Sequence, residues 1–167
     1  MDIEEAIKTA IEFETRIVET YTEAYEKVST DSGRRLVEAL VEDEKHHLKY
    51  LKDKLEQFTR DGVITLERLE TVIPPKDVIV REVAKLKKKI SRGSKSDIKQ
   101  IISRALNLEI ETSEFYRRMV DELSAEGKEM FAHFLEIEEA HLTLVRAEFD
   151  YFNDTGYWFD IKEFDME

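Results

Sequence analysis

The sequence predicts an all-helical protein, built as a bundle of two helical hairpins that are joined by a long connector. The first observation is that turn residues are scarce: the 167 residues include 5 Gly and 2 Pro, against usual shares of about 7% and 5%. A β-sandwich or barrel needs turn residues about every 8–12 positions. The second observation is that apolar residues recur with 3,4 spacing along four long stretches, which is typical of amphipathic helices.

Glycines indicate where the four long helices end. Gly33 and Gly127 are predicted to lie in the turns inside the two hairpins. Gly62 and Gly156 follow the second and fourth helices, and Gly93 precedes the third. The predicted helices cover residues 2–29, 34–60, 95–125 and 128–153.

Segment 61–94 is predicted to be the crossover between the hairpins, within a single domain over residues 1–167 that ends in a tail, 154–167. Ser94, three residues before Asp97, resembles a capping box that opens the third long helix. A connector of this length lets the second and third long helices run parallel, as in a four-helix bundle with one long crossover. It contains Pro74-Pro75 and a short amphipathic helix with Ile79, Val83, Leu86 and Ile90.

Ionisable residues interrupt the apolar stripe of each long helix. The first and third helices carry one glutamate at that point, and the second and fourth carry a Glu-x-x-His pair. The two halves align at an offset of 94–95 residues, as an internal duplication would. The six interrupting residues are Glu14, Glu44, His47, Glu109, Glu138 and His141.

These six residues predict a site for two metal ions. Charges in a helical core are costly unless they are paired or bound to metal, and two divalent cations cancel four carboxylates while leaving two neutral imidazoles as ligands. Residues at i and i+3 share a helix face, and di-iron and di-manganese bundles use this arrangement. Hard oxygen donors favour Fe or Mn, while Zn can occupy such a site in their place. Because Glu is abundant here, a metal-free bundle is the alternative interpretation.

Two tyrosines accompany the predicted ligands. Tyr21 and Tyr116 each lie seven residues after a predicted ligand, Glu14 or Glu109, and a buried tyrosine needs a hydrogen-bond partner. They are the candidate catalytic residues, acting beside the metal through a bond to a ligand carboxylate or through redox protection. The alternative is that they are aromatic fillers of a wide bundle.

Composition excludes several classes of function. The formal net charge of −12 argues against a nucleic-acid partner, and the absence of cysteine excludes disulfides and Fe–S clusters. No apolar run approaches the length of a membrane span and the N-terminus is acidic, so we expect no membrane association and a cytoplasmic location. Few Asn and Gln beside many Glu and Lys is typical of thermophile proteins.

The motifs resemble the rubrerythrin-like branch of the ferritin-like superfamily over about residues 3–153. They are A-x3-E-x6-Y at Ala10–Tyr21 and Ala105–Tyr116, and E-x-x-H at Glu44–His47 and Glu138–His141. The resemblance implies that all six residues bind iron, with Glu44 and Glu138 as bridges and Glu14 and Glu109 as terminal ligands. Two features depart from the family: no cysteine is present for a rubredoxin module, and Thr112 stands where many members have a further carboxylate.

The resemblance also implies an oxidoreductase, a rubrerythrin-like peroxidase with two Fe that reduces peroxide or dioxygen and acts in oxidative stress. Without its own electron-transfer module, the protein is expected to take electrons from a rubredoxin or a reductase. We expect a homo-oligomer, with a dimer favoured. The alternatives are a ferroxidase that stores or delivers iron, and a non-catalytic helical interaction module.

Overall fold

The computed structural model describes residues 1–86, 96–156 and 158–161, and within them it contains helices and no strand. The predicted all-helical, ferritin-like class is confirmed. Predictions about Ile90, Gly93, Ser94 and the last six residues fall outside the described part of the chain. The helices are α1 (Ile3–Lys27), α2 (Asp31–Asp61), α3 (Lys76–Leu86), α4 (Ser96–Glu122) and α5 (Ala125–Thr155).

The four long helices form two antiparallel hairpins that pack against each other. Helix α1 packs against α2 and α4, and α5 packs against α4 and α3. Tyr21 contacts Glu109 while Glu14 contacts Tyr116, so α1 and α4 run in opposite directions. Since α2 is also antiparallel to α1, α2 and α4 are parallel, as the long crossover requires.

Capping residues account for where the first hairpin begins and turns. Asp2 and Glu5 form a reciprocal capping box at the start of α1. The chain is extended at Val28 and Thr30, and the Thr30 hydroxyl accepts a hydrogen bond from the Gly33 N–H, 3.3 Å away. The turn between α1 and α2 is therefore set by a threonine N-cap.

The prediction that Gly33 lies in this turn is wrong, because Gly33 belongs to the first turn of α2 and is buried. A Cβ atom at this position would lie 2.6 Å from Val28 Cγ1 and 2.8 Å from Trp158 Cδ2. The glycine is needed for close packing against the C-terminal tail, which a sequence pattern of turn residues does not reveal.

Gly127 corrects the second hairpin in the same way. Helix α5 begins at Ala125, so Gly127 lies inside it rather than in the turn. A Cβ atom there would lie 3.1 Å from Ile3 Cδ1, so the Ile3 side chain of α1 packs closely against Gly127. Gly62 and Gly156 do end their helices, with φ angles of 72° and 73° in the left-handed region.

The connector runs over the bundle without regular secondary structure before α3. Helix α3 begins directly after Pro74-Pro75, where the proline rings prevent an earlier start. Its residues Ile79 and Val83 are buried, and the helix packs on α5. The connector thus covers one side of the bundle between α2 and α5.

The core consists of two apolar clusters with the ionisable residues between them. One cluster includes Leu40, Ala105 and Trp158, and the other includes Phe131 and Phe134. The predicted ligands therefore lie midway along the bundle, away from both ends. Among the described residues, no helix is both long enough and apolar enough to cross a membrane.

Candidate metal centre

The structure brings the two Glu-x-x-His pairs together in the middle of the core. Each of the four side chains is 0% exposed. One donor atom from each lies within 4.8 Å of the donor atoms of the others, so a single small site can engage all of them. The four residues are Glu44, His47, Glu138 and His141.

The antiparallel arrangement of α2 and α5 places each histidine against the glutamate of the opposite helix. His47 Nδ1 lies 3.1 Å from Glu138 Oε1, and His141 Nδ1 lies 2.6 Å from Glu44 Oε1. The second oxygen of Glu44 lies 2.9 Å from His47 Nδ1. The Glu44 carboxylate therefore spans the two imidazoles.

Glu14 and Glu109 lie at the same depth, outside the tightest group of four. Both are 0% exposed. Glu14 Oε2 is 3.8 Å from His47 Nδ1. The carboxylates of Glu14 and Glu109 accept hydrogen bonds from the hydroxyls of Tyr116 and Tyr21, respectively. Each tyrosine thus reaches the glutamate of the other hairpin.

Burial and mutual repulsion decide the charge of this cluster. Burial, followed by repulsion from Glu44 and Glu138, raises the pKa of Glu14 well above its usual value. Burial also opposes ionisation of Glu44, but attraction to His141 and His47 outweighs it and holds the Glu44 pKa well below its usual value. The metal-free cluster therefore retains protons that a bound cation must displace.

The pKa values of the other ionisable side chains follow the same causes. Burial disfavours the charged form of His47 and His141, yet nearby Glu44 raises the pKa of both imidazoles well above the ordinary value. Burial raises the pKa of Glu109 well above its usual value, with repulsion from Glu138 as the next cause. In the absence of a cation, these pKa shifts favour the protonated forms of His47, His141 and Glu109.

Unpartnered donor atoms show that the cluster fits a metal. Seven buried oxygen and nitrogen atoms of the predicted ligands lack a hydrogen-bond partner, and each such atom costs about 1–3 kcal/mol. The short approaches around His47 Nδ1 are not aligned as hydrogen bonds. The unpartnered atoms are Glu14 Oε2, Glu44 Oε2, His47 Nδ1 and Nε2, Glu109 Oε2, and Glu138 Oε1 and Oε2.

The two tyrosines contact the predicted ligands directly. Tyr21 and Tyr116 are 3% and 0% exposed. For both phenols burial is the largest cause of a pKa well above the usual value, followed by the adjacent carboxylate. They therefore remain neutral hydroxyl donors. Thr112 is buried too, and its hydroxyl donates to the Leu108 carbonyl 2.8 Å away, so it is engaged by its own helix.

Asp43 also contacts the cluster, although no motif in the sequence marks it. It is 0% exposed, and its Oδ2 lies 2.8 Å from His141 Nε2 and 3.8 Å from His47 Nε2. The Thr71 hydroxyl and the Val72 N–H donate to the same carboxylate, the latter over 2.9 Å. Burial opposes its ionisation, but the bond from His141 lowers its pKa below the usual value. A carboxylate that is hydrogen-bonded to one nitrogen of an imidazole orients the other nitrogen toward a metal.

Only its place beside Glu44 could have drawn attention to Asp43. It lies off the apolar stripe of α2, and the equivalent residue in the other half is Ile137. Its burial depends on the connector crossing α2 at Thr71 and Val72. The other two histidines, His46 and His133, are exposed and lie outside the cluster.

Fold and site together define a class: a ferritin-like helical bundle whose core holds a cluster of carboxylates and histidines suited to metal ions. A family model described as Rubrerythrin matches residues 1–55, which cover α1 and most of α2 and include Glu14, Glu44 and His47. The match and the cluster confirm the resemblance to rubrerythrin-like proteins. No curated protein and no solved structure matches the chain.

Proposed function

We propose that this chain is a di-iron carboxylate protein that reduces peroxide or dioxygen at the cluster between its hairpins. The observation that carries the proposal is the set of buried, unpartnered carboxylate and imidazole atoms at one level of the core. Two divalent cations satisfy these atoms together, and oxygen donors with one imidazole for each metal suit iron. The family match over α1 and α2 supports the same choice.

The contacts indicate how the ligands would be divided between two ions. Glu44 is the proposed bridge because its two oxygens face different imidazoles. Glu138 is the second proposed bridge, since its carboxylate lies on α5 opposite Glu44. Glu14 and Glu109 are proposed as terminal ligands, with His47 and His141 supplying one Nδ1 each.

The surrounding residues keep these ligands in place and hold protons. The Tyr21 and Tyr116 hydroxyls each fix one oxygen of a terminal carboxylate. Asp43 fixes His141 through Nε2, so that Nδ1 faces the cluster. When bound, a reduced iron pair supplies the two electrons that cleave the O–O bond of peroxide.

The electrons are proposed to come from a separate donor. The chain contains no cysteine, so it has no thiolate ligands for an iron–sulfur or rubredoxin-type centre. We therefore propose a rubredoxin or a reductase as the partner. Peroxide reduction to two waters consumes two electrons and two protons, so each turnover requires two one-electron transfers or one two-electron transfer.

Metal analysis and rapid kinetics test this proposal. Protein reconstituted with ferrous iron without oxygen is expected to bind about two Fe per chain and to be oxidised rapidly by peroxide. The double variant Glu44→Ala/Glu138→Ala should lose both properties. Glu42→Ala/Glu136→Ala is the matched control, because these glutamates occupy equivalent positions in the two halves and are exposed. A stoichiometry near zero, or one that the first double variant leaves unchanged, would refute the proposal.

A further inference from the structure

A cavity lies in the apolar core beside the cluster of predicted metal ligands, which we call the metal-ligand cluster: Glu14, Glu44, His47, Glu109, Glu138 and His141. All of its described lining side chains are buried, the most exposed being Trp158 at 8%, so the cavity lies among core residues. About 20 Å³ of it is open to the centre of a water-sized molecule. On this measure a single water needs about 10–15 Å³, so the cavity has room for one small molecule.

Three of the four long helices contribute to the cavity at the turn next to a predicted metal ligand, and α1 contributes Tyr21, two turns after Glu14. A helical turn of four residues spans about 6 Å, so the lining begins within one side-chain length of the ligand carboxylates. Tyr21 lines the cavity and also donates its hydroxyl to Glu109. The other three contributions come from Leu40, four residues before Glu44, Ala105, four before Glu109, and Val145, four after His141.

The internal duplication explains why there is space at this end. Val37 and Leu40 line the cavity, and their equivalents in the other half are Phe131 and Phe134. Those two rings pack against Tyr116 with centroid distances of 5.5 and 5.3 Å. On the cavity side, smaller aliphatic side chains stand in their places.

At a third pair of equivalent positions, the residue on the cavity side is again the smaller of the two. Ala24 lines the cavity, whereas its equivalent is the buried Met119. Ile101 is larger than its equivalent, Ala6, and Trp158 of the tail closes the far side. The cavity is the space that Ile101 and Trp158 do not fill.

The cavity suits an uncharged molecule. Its lining is aliphatic and aromatic except for Glu148, whose Oε1 accepts the Phe159 N–H over 3.1 Å. Burial raises the pKa of Glu148 well above its usual value, which favours the uncharged form of this carboxyl, and its Oε2 has no hydrogen-bond partner. Internal apolar cavities remain dry and take up xenon or small hydrocarbons.

We propose that this cavity is a binding site for a small apolar molecule, and that dioxygen is the molecule it holds beside the metal-ligand cluster. The choice of dioxygen rests on the proposed function, in which dioxygen is one of the oxidants. The existence of the site does not rest on it, because the cavity belongs to the metal-free fold.

Xenon tests the site itself. Crystals of the metal-free full chain pressurised with xenon should show an anomalous peak between Tyr21 and Trp158. Leu40→Phe and Ala24→Met introduce the equivalent residues of the other half, and each should abolish the peak. Ala39→Met adds the same bulk on α2 outside the cavity lining and should retain it. The absence of a peak in the unmodified chain, as a water held by Glu148 would cause, overturns the proposal.

Fluorescence tests dioxygen directly and without metal. Trp158 is the single tryptophan of the chain and lines the cavity, so dissolved dioxygen should quench its emission efficiently. Ala24→Met and Leu40→Phe should reduce the quenching constant severalfold and leave quenching by iodide, which does not enter apolar cores, unchanged. Equal dioxygen quenching in the filled variants and the unmodified chain overturns the assignment of dioxygen.

The outcome for the cavity can be separated from the outcome for the proposed function. If the chain takes up no iron, the proposed function fails while the xenon and quenching results still decide the cavity. With iron bound, Leu40→Phe should slow oxidation by dioxygen severalfold and leave oxidation by peroxide unchanged. Oxidation by dioxygen at an unaltered rate would overturn a role for the cavity in the reaction.

Discussion

Replacing Asp43 by asparagine tests how the connector supports the metal-ligand cluster. The substitution preserves shape and removes the negative charge that faces His141 Nε2 at 2.8 Å and His47 Nε2 at 3.8 Å. The Val72 N–H can still donate to the amide oxygen. In that orientation the amide NH₂ faces His141, and two donors meet unless the imidazole changes tautomer or turns.

The expected loss is in metal affinity. Removing a residue that orients a histidine ligand costs about 10–100-fold in affinity, or about 1.4–2.8 kcal/mol. We expect the upper part of this range, because the Asp43 carboxylate is fully buried and lies near both imidazoles. Thr71→Val removes one donor to Asp43 and leaves the imidazole contact intact, so its loss should be smaller.

Competition with a coloured chelator measures the affinity for ferrous or cobaltous ion. Glu42→Gln is the matched control, since it removes one negative charge at the next residue on an exposed side chain. Circular dichroism checks that the helices persist. An unchanged affinity in folded Asp43→Asn would refute the reasoning, and an equal loss in Glu42→Gln would show that net charge alone is responsible.

Three further predictions concern stability. Burial raises the pKa of Glu14 and Glu109 above 4.5. Their contribution to the stability of the metal-free fold is therefore complete below that pH and is lost as the pH rises through the folded pKa values. Urea unfolding with a chelator present should show this loss of stability, and Glu14→Gln should make the loss smaller. Gly33→Ala should lower the free energy of unfolding and shift Trp158 emission. The reason is that a steric cost of about 1–3 kcal/mol exceeds a helix-propensity gain of about 1 kcal/mol. A stabilised variant with unchanged emission would contradict this prediction. Tyr21→Phe leaves a Glu109 oxygen without its hydrogen-bond donor. It should lower the free energy of unfolding by about 1–3 kcal/mol without metal and by less with metal. Equal losses in the two conditions would contradict the proposal that the Glu109 carboxylate binds metal.

The position of the cluster was predictable from the sequence because a helix has a fixed period. Glu14 and Glu109 interrupt apolar stripes that are otherwise regular, and a residue on such a stripe faces the core whatever its charge. The structure buries these stripes and brings their polar positions to one level. Periodicity therefore identified the four glutamates of the cluster, although it did not identify Glu82 and Glu148, which are also buried.

Features that depend on contacts between distant segments were not predictable. Asp43 lies off the stripe and is buried because Thr71 and Val72 cross over it. In the sequence Gly33 is typical of a turn residue, and only its contact with Trp158 of the tail shows why a glycine is needed at this position. In both cases the deciding neighbour comes from the connector or the tail, whose path the helical period does not determine.

The two halves of the chain align in sequence, yet the two metal positions that we propose for the cluster have different surroundings. The position near His141 and Glu109 is next to the apolar cavity, and its imidazole is held by Asp43.

The position near His47 and Glu14 is bounded instead by an aromatic ring, since Phe134 packs edge-on against His47 at 5.5 Å. The ligand types are the same in both positions, so any difference in affinity or reactivity must come from these neighbours. Space for a small molecule and an oriented histidine occur on the same side of the cluster, which makes the His141 side the one that an oxidant from the cavity would reach first.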